Sequence, residues 1–315
     1  MIVGIMSPRA FAHRVALLTF LLLPTAPPLL SARTVAPAPG ISRALIVSID
    51  GLRPDLLLRA NAPVIHKLME QGSFTMWART TDLAVTLPSH TSMLTGVRPS
   101  KHGVIWNTNL PPGRQVYPAW PTLFEVARQR GFTTAMVAGK SKFSTLAKPG
   151  TLSWSFVPTE TVISDKAVAD TASLWIRSYA PRVLFVHLPE VDIAGHSKGW
   201  GSPAQLAAIA AADRCVGQIL ESLRDGGVLD STVVLITADH GGAGLSHGPD
   251  DVRSREIPWI ISGPGICRNY DLTLNQDLEV RTEDTFATIC YLLGITPPKP
   301  IDGRPVTQIL CAHAR

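Results

Sequence analysis

The chain has 315 residues, a mass of 33.9 kDa and 45% hydrophobic residues, enough for one large α/β domain or two smaller domains. This apolar content is too high for a disordered chain, and no short repeat supports a collagen-like or coiled-coil fold. The formal net charge is +5 and the isoelectric point is near 9.2, so the charge first raises the hypothesis of nucleic-acid binding.

The first 36 residues have the composition of an export segment. A basic start with Arg9 and Arg14 precedes an apolar run over 15–30, which prolines interrupt and small residues follow. This order is typical of a signal peptide, and the run is too short and too rich in proline to predict a membrane-spanning helix. We therefore expect residues 1–36 to be a signal peptide with a proline-rich exit and the mature protein to be periplasmic or secreted, without a stable membrane span. An uncleaved N-terminal anchor is the alternative.

Removing that segment changes the charge balance. Arg9, Arg14 and Arg33 are its only formal charges, so 26 basic residues remain against 24 acidic ones, a net charge of about +2. No basic run stands out in the remaining chain. A protein that coats nucleic acid therefore becomes the weakest hypothesis.

The four cysteines indicate neither a zinc finger nor a thioredoxin-like site, because no two of them have CxxC spacing. Cys290 lies in an apolar helical stretch and is predicted to be a buried thiol. Cys267 and Cys311 could pair in an oxidising compartment, but the sequence does not determine the connectivity.

Short apolar runs alternate with helical stretches along residues 37–315. The predicted elements in chain order are strand 43–49, helices 62–71, 88–94 and 122–129, strand 133–138, helix 165–179, strand 183–187, helix 203–224, strands 232–237 and 257–261, and helix 282–293. This alternation predicts a single α/β domain over 37–315, with a mostly parallel central sheet and helices on both faces. Residues 99–120 and 140–160, rich in Pro, Gly, Trp and Ser, predict a small loop cap.

Three of these strands end in candidate metal ligands. Ligands of open α/β sheets bind beyond the carboxyl ends of the strands, so side chains at these ends are expected to meet. A lone Asp or His at such a place is usually a cap or a turn residue, which is how His90, His102 and His187 are interpreted. Three Asp and three His at one edge instead favour a metal site, with Zn²⁺ as the best fit and Mn²⁺ or iron as alternatives. The six residues are Asp50, Asp192, His196, Asp239, His240 and His247.

These ligands belong to an ordered set of motifs. The set comprises Ser48-Ile-Asp50-Gly51, the run TLPSHTSMLTGVRPSKHG over 86–103, Asp192-x-x-x-His196, Asp239-His240-Gly241 and His247. In this order the motifs resemble the alkaline phosphatase superfamily, specifically its type I phosphodiesterase/nucleotide pyrophosphatase branch. The resemblance implies an alkaline phosphatase-like fold across nearly the whole mature chain and two zinc ions per chain.

The resemblance also implies a role for each site residue. One metal would be held by Asp192, His196 and His247. The other would be held by Asp50, Asp239, His240 and the oxygen of Thr86. Thr86 would be the nucleophile that forms a phospho-threonine intermediate, and Asn107 would bind a phosphate oxygen beside it.

Thr86 precedes Leu87-Pro88, and proline at a first helical position predicts that a helix starts there. A phosphoryl group on Thr86 would then face free backbone N–H groups and the positive end of the helix dipole. The alternative is that Thr86 is only the N-cap of this helix. Because an isolated threonine is a poor nucleophile, the catalytic hypothesis depends on the neighbouring metal ligands.

The predicted function is hydrolysis of a small phosphoester, most simply a phosphodiester or a nucleotide pyrophosphate. The neutral amide of Asn107 suits a diester with one negative charge, whereas monoesterases tend to add a cation. A phosphomonoesterase or a phosphonoacetate-type hydrolase is the alternative, with Lys140 and Lys142 as candidates to bind a second charge. An inactive metal- or phosphate-binding relative is the remote alternative. A sulfatase is excluded, because Thr86 and His90 stand where its Cys or Ser and its Arg would be.

Overall fold

The structure is a computed structural model that describes residues 1, 4, 38, 40–110, 116–159, 162–298 and 300–311. The chain divides into two units, Met1–Arg33 and Thr34–Arg315, and the fold below is that of the second unit. The predicted signal peptide, residues 1–36, lies almost entirely outside the described residues, so its assignment stays a prediction. No helix in the described ranges has both the length and the apolar character needed to cross a membrane.

The centre of the second unit is a single eight-stranded sheet. Its strands are β1 (Arg43–Ile49), β2 (Ser73–Arg79), β3 (Thr134–Ala138), β4 (Trp154–Phe156), β5 (Val183–Leu188), β6 (Thr232–Thr237), β7 (Glu256–Ser262) and β8 (Tyr270–Asp271). Their order across the sheet is β4-β3-β5-β1-β6-β7-β2-β8. Strands β4, β3, β5, β1 and β6 are parallel to one another, and β7 runs against both of its neighbours.

Ten helices surround this sheet within the described residues. They are α1 (Pro54–Arg59), α2 (Pro63–Gln71), α3 (Thr86–Thr95), α4 (Pro99–His102), α5 (Leu123–Gln129), α6 (Asp165–Tyr179), α7 (Glu190–Lys198), α8 (Pro203–Asp225), α9 (Val252–Arg255) and α10 (Thr282–Leu292). Helix α8 packs against α2, α6 and α7, while α3 packs against α10. The predicted α/β architecture with a mostly parallel sheet is confirmed.

The central strands owe their position to continuous apolar runs. All residues of β5 and β6 are buried, and only the first residue of β1 is partly exposed, as expected for parallel strands covered on both faces. Ser48 pairs with His187 on one side and with Thr237 on the other. This register places the carboxyl ends of β1, β5 and β6 side by side.

The predicted strands and helices all form, with bounds that differ from the prediction by at most two residues. The sequence does not predict α1, β2, α4, β4, α7, α9 or β8. The residues of β2 (SFTMWAR) lack a continuous apolar run, and those of α7 (EVDIAGHSK) mix small and polar residues without an apolar stripe. The predicted cap region contains α4, a 3₁₀ helix over Ser141–Leu146 and the short strand β4.

Candidate active site

The carboxyl ends of three neighbouring strands supply the centre of the site. Asp50 follows β1, and Asp239 follows β6 after a single alanine. Helix α7 begins two residues after β5 and contributes Asp192 and His196. Asp50 and Asp239 are fully buried, and Asp192 is 4% exposed. The predicted convergence of these side chains therefore follows from the register of the three strands.

Gly51 allows the three carboxylates to approach one another. Its φ of +73° lies in the left-handed region, and its N–H donates to Asp239 Oδ1 at 3.1 Å. A Cβ at this position would lie 3.0 Å from both Cα and Cβ of Asp192. A side chain here would therefore push the segment carrying Asp192 away from β1.

Three histidines face the carboxylates through the same ring nitrogen. The Nδ1 atoms of His196, His240 and His247 contact backbone carbonyl oxygens at 2.9, 2.8 and 2.9 Å. A carbonyl oxygen accepts only from a protonated nitrogen, so Nδ1 carries the proton and Nε2 keeps its lone pair. This arrangement is typical of imidazoles that bind a metal. The carbonyl partners belong to Leu245, Gly241 and Ala84, respectively.

Three buried carboxylate oxygens in this cluster have no hydrogen-bond partner within the described residues. They are Oδ1 of Asp50, Oδ1 of Asp192 and Oδ2 of Asp239. Buried charged oxygens are costly unless they are paired or coordinate a metal, and nearby Nε2 lone pairs cannot donate to them. These oxygens and the imidazole nitrogens together fit the donor set of a zinc-like divalent cation.

Two overlapping groups of atoms could hold a metal. One contains Asp50, Asp239 and His240, and the other contains Asp192, His240 and His247. Within each group the candidate donor atoms lie within 4.8 Å of one another. His240 is therefore a candidate ligand in both groups, whereas the resemblance assigns it only to the metal held by Asp50 and Asp239.

His196 lies at the rim of the second group. Its side chain is 43% exposed, and its Nε2 lies 3.3 Å from Asp192 Oδ1. The proximity of the Asp192 carboxylate raises the pKa of His196, against the opposing effect of burial. The structure thus brings His196 next to the carboxylate with which it was predicted to share a metal.

Two residues support the carboxylates in ways that the sequence did not reveal. The ammonium group of Lys140 lies 2.7 Å from Asp50 Oδ2 and 2.6 Å from Asp192 Oδ2. His187 Nε2 donates to the same Asp50 oxygen at 2.8 Å, because its Nδ1 accepts the Gly139 N–H. Both contacts occupy Oδ2 and leave Oδ1 of Asp50 and Asp192 directed at the candidate metal groups. The only sequence signal for His187 was its place at the end of a buried strand.

The pKa values of the three carboxyls diverge. Burial raises the pKa of Asp239 to about 6, with a further contribution from the charge of Asp50. Burial also opposes ionisation of Asp50, but the charge of Lys140 and the His187 hydrogen bond hold the pKa of Asp50 well below its usual range. The pKa of Asp192 falls to about 2 despite burial, because His196 and Lys140 stabilise its anion. Asp50 and Asp192 are therefore anionic at neutral pH.

Thr86 is the first residue of α3, and the expectation that the helix starts at Pro88 is wrong. Val85 is the N-cap and offers no side-chain hydrogen bond, so the alternative role of Thr86 as N-cap is also wrong. Thr86 Oγ1 instead faces His240 Nε2 at 3.4 Å. The turn before it passes through Ala84 at φ 46°, a strained conformation for alanine, which presents the Ala84 carbonyl to His247.

Asn107 lies beside this helix start. Its Oδ1 accepts the backbone N–H of Leu87 at 2.9 Å, next to the candidate nucleophile. The same oxygen accepts from Lys142 Nζ at 3.2 Å. Asn107 Nδ2 has no partner within the described part of the chain. The structure therefore places Thr86 and Asn107 next to each other, as the predicted roles require.

The sheet topology and this carboxylate–imidazole edge define an α/β protein of the alkaline phosphatase-like class. The family of type I phosphodiesterases/nucleotide pyrophosphatases matches residues 44–256, and the chain belongs to this family. The site motifs from Asp50 to His247 all fall inside the matched range. The family is metal-dependent, in agreement with the donor set described above.

Individual relatives are more distant. The chain is 27% identical over 219 residues to mouse ectonucleotide pyrophosphatase/phosphodiesterase family member 1, covering 62% of this chain and 24% of the relative. It is 26% identical over 222 residues to mouse bis(5'-adenosyl)-triphosphatase enpp4, covering 65% of this chain and 48% of the relative. The chain thus spans less than half the length of these curated relatives.

Solved structures support the fold. Murine ectonucleotide pyrophosphatase/phosphodiesterase 5, in an inactive form with AMP, superposes with a TM-score of 0.73 at 16% identity, covering 86% of this chain and all of that one. A 2-O GAG sulfatase superposes with a TM-score of 0.68 at 16% identity, covering 85% of this chain and 74% of the sulfatase. Both are alkaline phosphatase-like, so this fold prediction is confirmed.

Proposed function

We propose that the protein is a phosphodiesterase/nucleotide pyrophosphatase that uses two zinc ions and a phospho-threonine intermediate. One observation carries the proposal: three buried carboxylate oxygens that lack partners among the described residues face imidazole nitrogens beside the hydroxyl of Thr86. Family membership supports the reaction class, and the relatives named above are pyrophosphatases, phosphodiesterases or a triphosphatase. The leaving group and the physiological substrate stay open.

The residues that would hold the metals are the predicted ligands, with His240 able to serve either group. Zinc bound there would lower the pKa of an oxygen nucleophile and stabilise the charge of the phosphoryl group. Lys140 and His187 would keep the Asp50 and Asp192 oxygens oriented toward this position.

In the proposed reaction, the side chains of Thr86 and Asn107 act in two displacement steps at phosphorus. Thr86 Oγ1 forms a bond to phosphorus as the bond to the leaving oxygen breaks, which gives a phospho-threonine. The Asn107 amide donates to a non-bridging oxygen and fixes the phosphoryl group beside the start of α3. Attack of water on phosphorus then breaks the bond to Thr86 and restores its hydroxyl.

Thr86→Ala tests the covalent step. We expect this variant to lose turnover of bis-p-nitrophenyl phosphate by at least about 1,000-fold, because no other hydroxyl replaces the nucleophile. Its zinc content and melting temperature are expected to match the wild type. Rapid acid quench of the wild type followed by peptide mass spectrometry should show one phosphoryl group on Thr86.

Thr95→Ala is the matched control, since Thr95 lies on the same helix and bonds only to the Thr91 carbonyl. Near-wild-type turnover by Thr86→Ala would exclude the covalent scheme. Two bound zinc ions without turnover of any phosphoester would instead support the inactive relative.

We also propose that the protein is exported and is periplasmic or secreted. The basic and apolar composition of residues 1–36 supports this, and so does the Cys267–Cys311 disulfide, since such bonds persist in oxidising compartments. N-terminal sequencing of the protein from the periplasmic and culture fractions tests the proposal. Protein found only in the cytoplasm, with Met1 retained, would contradict it.

A further inference from the structure

Lys140 directly precedes the 3₁₀ helix over Ser141–Leu146 and Lys142 lies within it, and the two lysines have different surroundings. The Lys140 ammonium is buried and bonded to two carboxylates, Asp50 and Asp192, which neutralise it. The Lys142 side chain is half-buried, and among the described residues it forms no ion pair; its hydrogen bond goes to Asn107 Oδ1 at 3.2 Å. The burial of Lys142 and the nearby charge of Lys140 both lower the Lys142 pKa. The weaker effects of the Asp50, Asp192 and Asp239 charges raise it. An anion bound beside Lys142 would stabilise its ammonium group further.

The position of Lys142 indicates that this anion would be a phosphoryl group bound at Thr86. Asn107 Oδ1 contacts both the Leu87 N–H and Lys142 Nζ, so the ammonium lies near the start of α3. Thr86 is the neighbour of Leu87 and the first residue of that helix. A phosphoryl group at Thr86 would therefore have Lys142 and Asn107 Nδ2 on one side. Both groups donate to anionic oxygen.

The charge of the substrate decides what Lys142 contributes. A phosphodiester carries one negative charge, for which the Asn107 amide and the helix start are sufficient donors. A phosphomonoester carries nearly two charges at neutral pH, because its second pKa is about 6. The Lys142 ammonium has no counter-ion among the described residues, so it can supply the additional positive charge that a monoester requires and a diester does not.

We propose that Lys142 gives the site a phosphomonoesterase activity in addition to the diesterase activity. The inference rests on the proposed function, since it uses Thr86 as the nucleophile. Thr86 Oγ1 bonds to the phosphorus of a monoester as the ester P–O bond breaks, and the leaving oxygen departs as an alcohol or a phenolate. Water then cleaves the phospho-threonine, so one ester and one water give one alcohol and one inorganic phosphate. Lys142 binds the extra anionic oxygen throughout.

The experiment compares two esters with the same leaving group. Rates of the zinc-loaded enzyme are measured on p-nitrophenyl phosphate and bis-p-nitrophenyl phosphate, above the second pKa of the monoester. We expect the wild type to hydrolyse both. Lys142→Met should lower kcat/KM for the monoester roughly 10- to 100-fold more than for the diester, the size expected for a charge-assisted hydrogen bond. Lys142→Arg should retain most of the monoester rate.

Lys148→Met is the matched control, because Lys148 follows shortly after the same 3₁₀ helix but pairs with Glu125 at the surface. It should leave both rates unchanged. A direct readout is binding of inorganic phosphate and of dimethyl phosphate by calorimetry, where Lys142→Met should weaken only the first. Melting temperature and zinc content of each variant check that it is folded and loaded.

The outcomes separate this inference from the proposed function. Diester hydrolysis without monoester hydrolysis in the wild type would overturn the inference and leave the proposed function standing. Equal losses for both esters in Lys142→Met, or no loss, would also overturn it. Absence of turnover with either ester would contradict the proposed function and the inference together.

Discussion

His102 shows how a buried histidine can serve structure beside a candidate active site. Its side chain is 1% exposed. Nδ1 accepts the Val104 N–H at 3.1 Å, and Nε2 lies 3.0 Å from the Ser92 hydroxyl. Because Nδ1 must accept, the ring is neutral, and its burial lowers the pKa of His102 to about 4. These contacts fix the chain between α4 and Asn107, in agreement with the structural role expected for His102.

Protonation of His102 should therefore destabilise the fold. The unfolded chain has a His pKa of about 6.5, so it binds the proton more readily than the folded chain does. The contribution to stability is complete above about pH 6.5 and is lost as the pH falls through about 4, by roughly 3 kcal/mol. Urea unfolding of the wild type and of His102→Gln across this range measures the effect. The variant should show the weaker pH dependence, and equal slopes would contradict the assignment.

At the scale of secondary-structure elements, the start of helix α7 is capped by a residue of helix α6. Its N-cap is Pro189, which provides no side-chain acceptor. Asp165, the first residue of α6, accepts the Glu190 N–H with Oδ1 at 3.0 Å. Burial raises the pKa of Asp165 to about 7, and its Oδ2 has no partner within the described residues. Since α7 carries Asp192, Asp165 helps to fix the position of a candidate metal ligand.

Asp165→Ala should loosen the start of α7. We expect a loss of about 1–2 kcal/mol of unfolding free energy, the usual cost of a missing helix cap. Zinc affinity, measured by competition with a chelator, should fall as well, because Asp192 moves with the helix. Asp165→Asn keeps an acceptor and should restore both quantities. Asp170→Ala, on the exposed face of α6, is the control, and an unchanged zinc affinity in Asp165→Ala would exclude this positioning role.

The elements also show which parts of the molecule could be predicted from sequence. Continuous apolar runs predicted β1, β5 and β6 and placed Asp50 and Asp239 at one edge, because strand ends follow directly from such runs. Helix α7 was missed, since its nine residues have no apolar stripe and it forms through packing against α8 and the Asp165 cap. The contacts of Lys140 and Lys142 depend on how the segment after β3 folds over the sheet edge, which no local pattern encodes.

At the scale of the whole molecule, a disulfide joins the segment after β7 to the end of the described chain. Cys267 and Cys311 are bonded, with Cα atoms 4.8 Å apart. The Cys267 N–H donates to the Ile309 carbonyl at 2.8 Å, so backbone bonds accompany the covalent one. Because β7 is antiparallel to β6, its carboxyl end lies at the sheet edge opposite the candidate site.

The other cysteines, Cys215 and Cys290, are buried free thiols, as predicted for Cys290.

Replacing both bonded cysteines by serine should therefore affect stability and not catalysis. The bond spans 44 residues of sequence, for which loop-closure entropy predicts a loss of about 4 kcal/mol. Urea unfolding of Cys267→Ser/Cys311→Ser against the wild type, with and without a reductant, measures this loss. Diester kcat/KM at 25 °C should stay within about 2-fold. A stability insensitive to both the substitution and the reductant would contradict the prediction.

The candidate ligands are far apart along the chain: Asp50 follows the first strand, and His247 follows the sixth. Contacts between such distant segments form late in folding, because their loop-closure entropy must be overcome before they contribute stability. A chain interrupted before β6 lacks Asp239, His240 and His247 and has no complete donor group. Metal uptake should therefore follow the pairing of β1 with β6, and the rate of metal capture would report on that step.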